Sequence, residues 1–168
     1  TATGRFSSKE PNLQNVGRGE LREAFVPAPS HRFIVADYSQ VELRAAAAID
    51  GETKMIGAHR AGQDLHKLTA STVLGGDPAS ISKQQRQTAK AVSFGLLYGQ
   101  SAPGLVRYAA SSYGVTLQDD QAKEIRTAFF RTYGPLRQWH GESHQRAEQG
   151  VTEVRTRLGR RRLIPETA

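Results

Sequence analysis

Residues 86–99 read RQTAKAVSFGLLYG. Arg86, Lys90, Phe94 and Tyr98 recur every four residues, and on a helix turning once per about 3.6 residues that spacing makes one slowly winding stripe. The stripe reads cation, cation, aromatic, aromatic. A cation pair can hold a polyphosphate, and a flat ring beside it can stack on a base or a sugar. The run from Arg86 to Tyr98 spans roughly 18 Å at about 1.5 Å per residue. That length suits one nucleoside triphosphate, phosphates toward Arg86 and base toward Tyr98. The plainer reading is an amphipathic helix with two solvated cations and two core aromatics. For an isolated R-x-x-x-K-x-x-x-F it would win, because surface Arg and Lys are common. The extension to F-G-x-x-Y-G weighs the other way. Gly95 inside a helix costs about 1 kcal/mol relative to Ala, and it is kept more readily where something must approach the backbone closely.

The bulk numbers fit that reading. A chain of 168 residues buries a real core, and one domain is the default. Net charge is +7, and arginine outnumbers lysine 17 to 6. This favours a polyanionic partner held by bidentate phosphate contacts, although a basic surface also serves solubility. There is no cysteine, hence no disulfide and no thiolate metal site. No apolar run approaches 18 residues and no signal-peptide pattern is present, so a soluble, non-secreted chain without a membrane partner is expected.

Taken in order, residues 1–16 read as loop, and ELREAF (20–25) as a short helix closed by Pro27 and Pro29. Arg32-Phe-Ile-Val-Ala-Asp37 is a compact apolar run, read as a buried strand with Asp37 at its exposed C-terminal end. A carboxylate there can project into a cleft and suits Mg²⁺, or it can simply cap the helix that follows. An alanine-rich helix runs to about Ile49, and another is expected over 52–60. Arg44 is expected to pair with a neighbouring carboxylate. Asp64 caps a helix over 65–74 that stops at Gly75-Gly76, with Leu65, Leu68 and Thr72 inward. Ser82 caps the helix of the opening stretch. Lys83, Arg86 and Lys90 then load its early part with positive charge. That opposes the helix dipole unless an anion sits there.

Further helices are expected over about 101–114, 116–133 and 135–149. Ala122, Ile125 and Phe129 form the inner stripe of the second, and Leu136, Trp139 and Ala147 pack in the third. Adjacent Asp119 and Asp120 favour the dipole of a first turn and face different directions, so they are not a catalytic pair. His140 and His144 lack a third ligand and the H-E-x-x-H pattern, so they are not read as a metal site. Residues 151–157 and 162–164 read as strands about a turn at Gly159, with Arg157, Arg160, Arg161 and Arg162 clustered there.

Five segments resemble family A DNA polymerases, the DNA polymerase I family. RQTAKAVSFGLLYG resembles the motif B helix of the fingers, and DYSQVELR (37–44) resembles motif A. TGRFSS with PNLQN (3–15) resembles the loop along the primer–template, DLHKLTA (64–70) the D-x-H-x-x-T-A segment, and TRLGRRRLIP (156–165) the stretch from fingers back to palm. The resemblance runs from Thr3 to Pro165. It implies an α+β, mostly helical chain: part of a palm with few strands, plus the helical fingers of a right-hand polymerase. Residues 1–50 would be palm, 51–150 fingers with motif B over about 83–98, and 151–168 a strand and turn back toward the palm.

The implied activity is DNA-directed transfer of a nucleotide from a dNTP to a primer 3′-hydroxyl, with two Mg²⁺ ions. By resemblance Asp37 and the Tyr38 carbonyl hold metal. Gln40, Glu42, His66, Arg86, Lys90, Phe94 and Tyr98 surround the dNTP, and Glu42 is the steric gate against a ribose 2′-hydroxyl. Lys90 also gives a proton to the leaving group. Arg5, Asn12, Asn15, Gly95 and Tyr98 touch DNA. Phe94 in place of Tyr is the family variant that resists dideoxynucleotides. The fingers helix would swing inward on a correct pair. The Asp37 carboxyl is expected to face Arg86 and Lys90 across a dNTP-sized cleft.

The family's motif C, a His-Asp-Glu, is absent, and no His-Asp pair occurs. An incomplete chain is therefore expected, whose partners are primer–template DNA, dNTP and the remaining palm and thumb segments, in a cytoplasmic, nucleoid-associated enzyme. Two other readings stay open. A single-subunit RNA polymerase shares the cation and Y-G logic, but Glu42 argues against it. A non-catalytic basic nucleic-acid or nucleotide-binding module would bind DNA indifferently to Mg²⁺ and dNTP.

Overall fold

The computed structural model describes residues 3–17 and 19–164. Thr1, Ala2, Arg18 and the stretch from Pro165 lie outside the described residues, and with them the ends of the expected loop and of the T-x-x-GRRR-x-x-P segment. Two compact units divide the chain. One takes residues up to Tyr38 together with those from Ala147, and the other is Ser39–Arg146. The division falls inside the motif A segment, between Tyr38 and Ser39.

The first unit is sparse in regular structure. A 3-10 turn, Leu13–Asn15, is closed by the Asn12 side chain, whose Oδ1 accepts from the Gln14 N–H at 3.1 Å. Helix α1 is one turn, Glu20–Glu23. Strands β1 (Glu153–Arg155) and β2 (Arg161–Leu163) pair antiparallel, with Val154 opposite Arg162. Glu153 lies between Arg155 at 2.8 Å and Arg161 at 3.6 Å, so part of the arginine cluster is ion-paired in the hairpin.

The expected buried strand over 32–37 does not form. Residues 31–38 have no regular structure, and Ile34 and Val35 are 94% and 92% exposed. The reason is physical: a strand is stable only when its N–H and C=O groups meet a neighbouring ladder. Among the described residues the sheet contains only β1 and β2. High β propensity alone does not hold the run extended against a core.

The second unit is helical: α2 (Val41–Asp50), α3 (Thr53–Arg60), α4 (Leu65–Leu74), α5 (Lys83–Leu97), α6 (Ala102–Tyr113), α7 (Asp119–Thr132) and α8, Gly134–Glu148, which runs past its end. Helix α5 is its axis, packing on α4, α6 and α7. The face it turns inward is built of small residues, Ala89, Ala91, Val92, Ser93 and Gly95, all buried. Small side chains let neighbouring helices approach closely, and Gly95 shows how closely. A Cβ there would meet Leu105 Cδ1 at 2.7 Å and Tyr108 Cδ1 at 3.1 Å, both on α6. The approach that this glycine permits is a helix crossing.

Around α5 the core takes Leu43 and Ala47 of α2, Met55 of α3, Leu65 of α4, Leu105 of α6, Ile125 and Phe129 of α7, and Leu136 of α8. Of the residues expected to pack α8, only Leu136 does. Trp139 is 41% exposed and Ala147 is exposed. Beyond the first turn of α8 the ring of His140 still packs on Phe130 of α7, and residues 141–150 are exposed throughout. Asp120 pairs with Lys123 at 2.9 Å on the solvent side, as a helix-surface pair does.

One polar contact sits inside this core. The Tyr133 hydroxyl and Thr69 Oγ1 are 2.9 Å apart, and both residues are buried. Thr69→Val leaves the phenol unsatisfied and is expected to lower urea-derived stability by about 1–3 kcal/mol. Adding Tyr133→Phe should recover much of that loss, because both partners are then apolar. Strictly additive losses in the cycle would contradict the contact.

Candidate nucleotide-binding site

Helix α5 starts at a capping box. The Ser82 hydroxyl accepts from the Gln85 N–H, and Gln85 Oε1 accepts from the Ser82 N–H. With the start pinned and the small-residue face buried, the stripe is forced outward. Arg86, Lys90 and Phe94 are half-buried, and Tyr98, where the helix ends, is 58% exposed. The four residues share one accessible face.

The cations at the start of α5 have an anion beside them. Arg86 Nε donates to Asp64 Oδ2 at 2.7 Å. The other carboxylate oxygen accepts from the backbone of His66 and Lys67 at the start of α4. Burial pushes the Asp64 carboxyl up, but the hydrogen bond from Arg86, with those backbone donors, outweighs it and holds the group below the ordinary carboxylate range. Both side chains keep about a third of their surface, 38% for Arg86 and 30% for Asp64. Partly exposed pairs of this kind contribute only about 0–1 kcal/mol, so a phosphate can take over Arg86 at little expense.

His66 is buried at 3% exposure, its ring 5.9 Å from that of Phe94. Burial, joined by the charges of Arg86 and Lys90, pushes its pKa down to about 4 against the opposing pull of Asp64. It is therefore neutral at pH 7, and its Nδ1 is buried with no hydrogen-bond partner. Lys90 Nζ lies 5.8 Å above the Tyr113 ring, a cation–π contact that orients the ammonium.

Two clefts flank this face. One, of about 310 Å³, is lined by Ser39, Gln40, Arg44, His59, Asp64 and Arg86. Gln40 holds the left-handed conformation, φ 54° and ψ 33°, rare for a residue with a side chain. Its Oε1 and His59 Nε2 are buried without partners. Among the described residues Arg44 does not form the ion pair with a carboxylate expected for it. It stands beside His59, whose pKa is lowered by burial and by the Arg44 charge. The second cleft, of about 260 Å³, brings Glu42 to Tyr98 and Trp139 above Ala45, Ala46 and Ile49.

Sequence reading missed Arg44 and His59 as parts of the site. Arg44 follows Gln40 by one helical turn, a signal that was present. His59 carried none. Gly95 lies on the buried face, against Leu105 and Tyr108 of α6. In the first unit Arg5, Asn12, Asn15, Asp37 and Tyr38 are all exposed.

The depressed His66 pKa can be read directly. In a histidine NMR titration His66 should titrate near pH 4, and Arg86→Gln should raise that value. Because the unfolded chain then binds more protons between the ordinary value of 6.5 and about 4, stability should fall as pH drops through that window. Titration of His66 near 6.5 would contradict the geometry.

Comparison with known proteins agrees with the motifs. The family model described as DNA polymerase family A matches residues 1–168. The chain is 41% identical over 160 residues to DNA polymerase I of Aquifex aeolicus, covering 95% of this chain and 28% of that protein. It is 42% identical over 171 residues to DNA polymerase I of Pseudomonas aeruginosa, covering 98% and 18%. Among solved structures, the POL domain of Pol1 from M. smegmatis, in complex with DNA primer–template and dNTP, matches with a TM-score of 0.81 and 34% identity. The match covers 98% of this chain and 29% of that one. The chain thus spans less than a third of these relatives, and with a whole-length family match it belongs to DNA polymerase family A.

Proposed function

We infer that this chain is the nucleotide-selecting part of a DNA-directed DNA polymerase, acting within a longer cytoplasmic enzyme on primer–template DNA and dNTP. The observation that carries this is the outward face of α5. It holds two cations and two aromatic rings in the order that a triphosphate, sugar and base require, with the buried His66 of α4 set against Phe94. The neighbour's complex with primer–template and dNTP supports the same partners.

On this reading an incoming triphosphate displaces Asp64 from Arg86 and draws a second charge-assisted hydrogen bond from Lys90. Lys90 then delivers a proton to the departing pyrophosphate oxygen. His66 donates a neutral hydrogen bond to the phosphates. Phe94 and Tyr98 pack on sugar and base, and Glu42, beside Tyr98, occupies the space a 2′-hydroxyl would need. Arg5, Asn12 and Asn15 face the DNA backbone. Contacts of this kind position the duplex and do not read its sequence.

Magnesium, when bound in this family, activates the primer hydroxyl and stabilises the phosphates. Asp37 and the Tyr38 carbonyl fit only part of such a site. Among the described residues no group of three or more His, Cys, Asp or Glu side chains is placed to hold a metal. No helix among the described residues is long and apolar enough to cross a membrane.

Equilibrium binding of a dNTP to the chain tests the reading. Arg86→Ala and Lys90→Ala should each weaken binding by about 10–100-fold, the loss of a hydrogen bond to a charged group. Glu42→Ala should narrow the preference for dNTP over rNTP. An unmoved dissociation constant in both cation variants would reject the site. In primer extension the chain alone should be nearly inactive. Robust extension abolished by Asp37→Ala would show that it needs no other segment.

A further inference from the structure

The two cations of the α5 stripe are held by different means. Arg86 has a carboxylate, Asp64, at 2.7 Å. Lys90 has an aromatic ring: its Nζ lies 5.8 Å from the centroid of Tyr113, and among the described residues it belongs to no ion pair. Tyr113 is the last residue of α6 and half-buried, and Gly114 behind it closes the helix in the left-handed conformation, at φ 64°. The Tyr108 ring, on the same helix, stands edge-on to Tyr113 with centroids 5.6 Å apart. Tyr108 in turn lies over Gly95, where an added Cβ would come within 3.1 Å of it. The close α5–α6 crossing therefore fixes the Tyr113 ring through Tyr108.

A carboxylate and a ring do different things to a cation. Asp64 neutralises Arg86 until a stronger anion displaces it. The face of a neutral ring attracts an ammonium through its quadrupole but carries no net charge. Tyr113 stays neutral: burial, joined by the neighbouring phenol of Tyr108 and the charge of Glu42, pushes its pKa above the ordinary value. No anion has to be displaced before Lys90 meets a phosphate. Fixing a flexible lysine stem is a large part of the entropic cost when it takes up an anion. A ring that holds the stem beforehand removes part of that cost. An ammonium has three N–H donors, so contact with a ring on one side leaves donors for a phosphate on the other. The same ring is within electrostatic reach of Glu42 and Tyr98, which share the cleft at the far end of the stripe. Tyr113 thus borders the nucleotide face.

We propose that Tyr113 is a positioning residue of the nucleotide site, whose ring face holds the Lys90 ammonium ready for the triphosphate. The proposal rests on the reading of the α5 stripe as a triphosphate site. It adds to that site a residue of α6 that none of the five motif segments contains.

Calorimetric binding of inorganic tripolyphosphate to the full chain tests it. Tyr113→Leu, which keeps an apolar side chain against α5, should weaken binding about two- to fivefold, the worth of a solvent-accessible cation–π contact. Tyr113→Phe should bind within about twofold of the unaltered chain, because the ring face remains. Increasingly fluorinated phenylalanines at position 113 should then weaken binding stepwise, since fluorine drains the negative potential of the ring face with little change of size. A ring that merely packs gives no such series. Lys90→Met should cost more than any of these, and Tyr113→Leu should add nothing in that background. Affinity indifferent to fluorination would overturn the proposal, because the ring then only packs. Tighter binding by Tyr113→Leu would overturn it too, because the ring then competes with phosphate for the ammonium. Both outcomes leave the triphosphate reading standing as long as Lys90→Met weakens binding. Tripolyphosphate binding that Lys90→Met and Arg86→Ala leave unmoved would reject that reading, and this proposal with it.

Discussion

Helix α5 has one face it must bury and one it cannot. Ala89, Ala91, Val92, Ser93 and Gly95 are small enough to let α4 and α6 close on the backbone, and that closeness holds the second unit together. A helix has a single set of angular positions. Once the small residues point inward, the residues spaced by four from Arg86 are carried to the outside together. Packing thus sets the chemistry: small residues, joined by Leu96 and Leu97 in the last turn, take the buried side of α5, and the cations and rings are left accessible.

The electrostatics of that face follow from crowding. Positive charges at the start of a helix oppose its dipole, and Asp64 relieves this while also capping α4. One carboxylate therefore fixes two helix starts relative to each other. His66, pressed between Arg86, Lys90 and the core, gives up its charge. Gln40 accepts a strained backbone, and its amide oxygen is left without a partner. Strain, displaced protonation and unsatisfied buried atoms gathered at one place are the marks of a site built to receive something.

The first unit contrasts with this. Phe33, Ile34 and Val35 have the composition of a buried strand yet are exposed, and Asp37 beyond them is exposed too. β structure is a property of pairs of segments, so a run with strong strand propensity cannot express it without a neighbour. A helix satisfies its own backbone, and this is why the helical unit forms around its own core while the apolar run does not join one. The chain spans 28% of its Aquifex relative and 18% of its Pseudomonas relative.

Much of the helical architecture was legible in the letters, because caps and breakers act locally. Asp64, Ser82, Ser101, Gly75 and Gly114 mark ends that the fold keeps. The stripe likewise placed Arg86, Lys90, Phe94 and Tyr98 on an accessible side of α5, since spacing along one helix is enough to do so. Tertiary structure alone decided three other matters. It showed that Gly95 serves a helix crossing, brought Arg44 and His59 from two other helices to Arg86, and laid the Tyr113 ring of α6 against Lys90. Contacts between distant segments depend on how helices pack, and no spacing within one segment encodes them. What a segment does by itself could be read in advance. What segments do to one another, including the failure of residues 32–37 to become a strand, had to be seen.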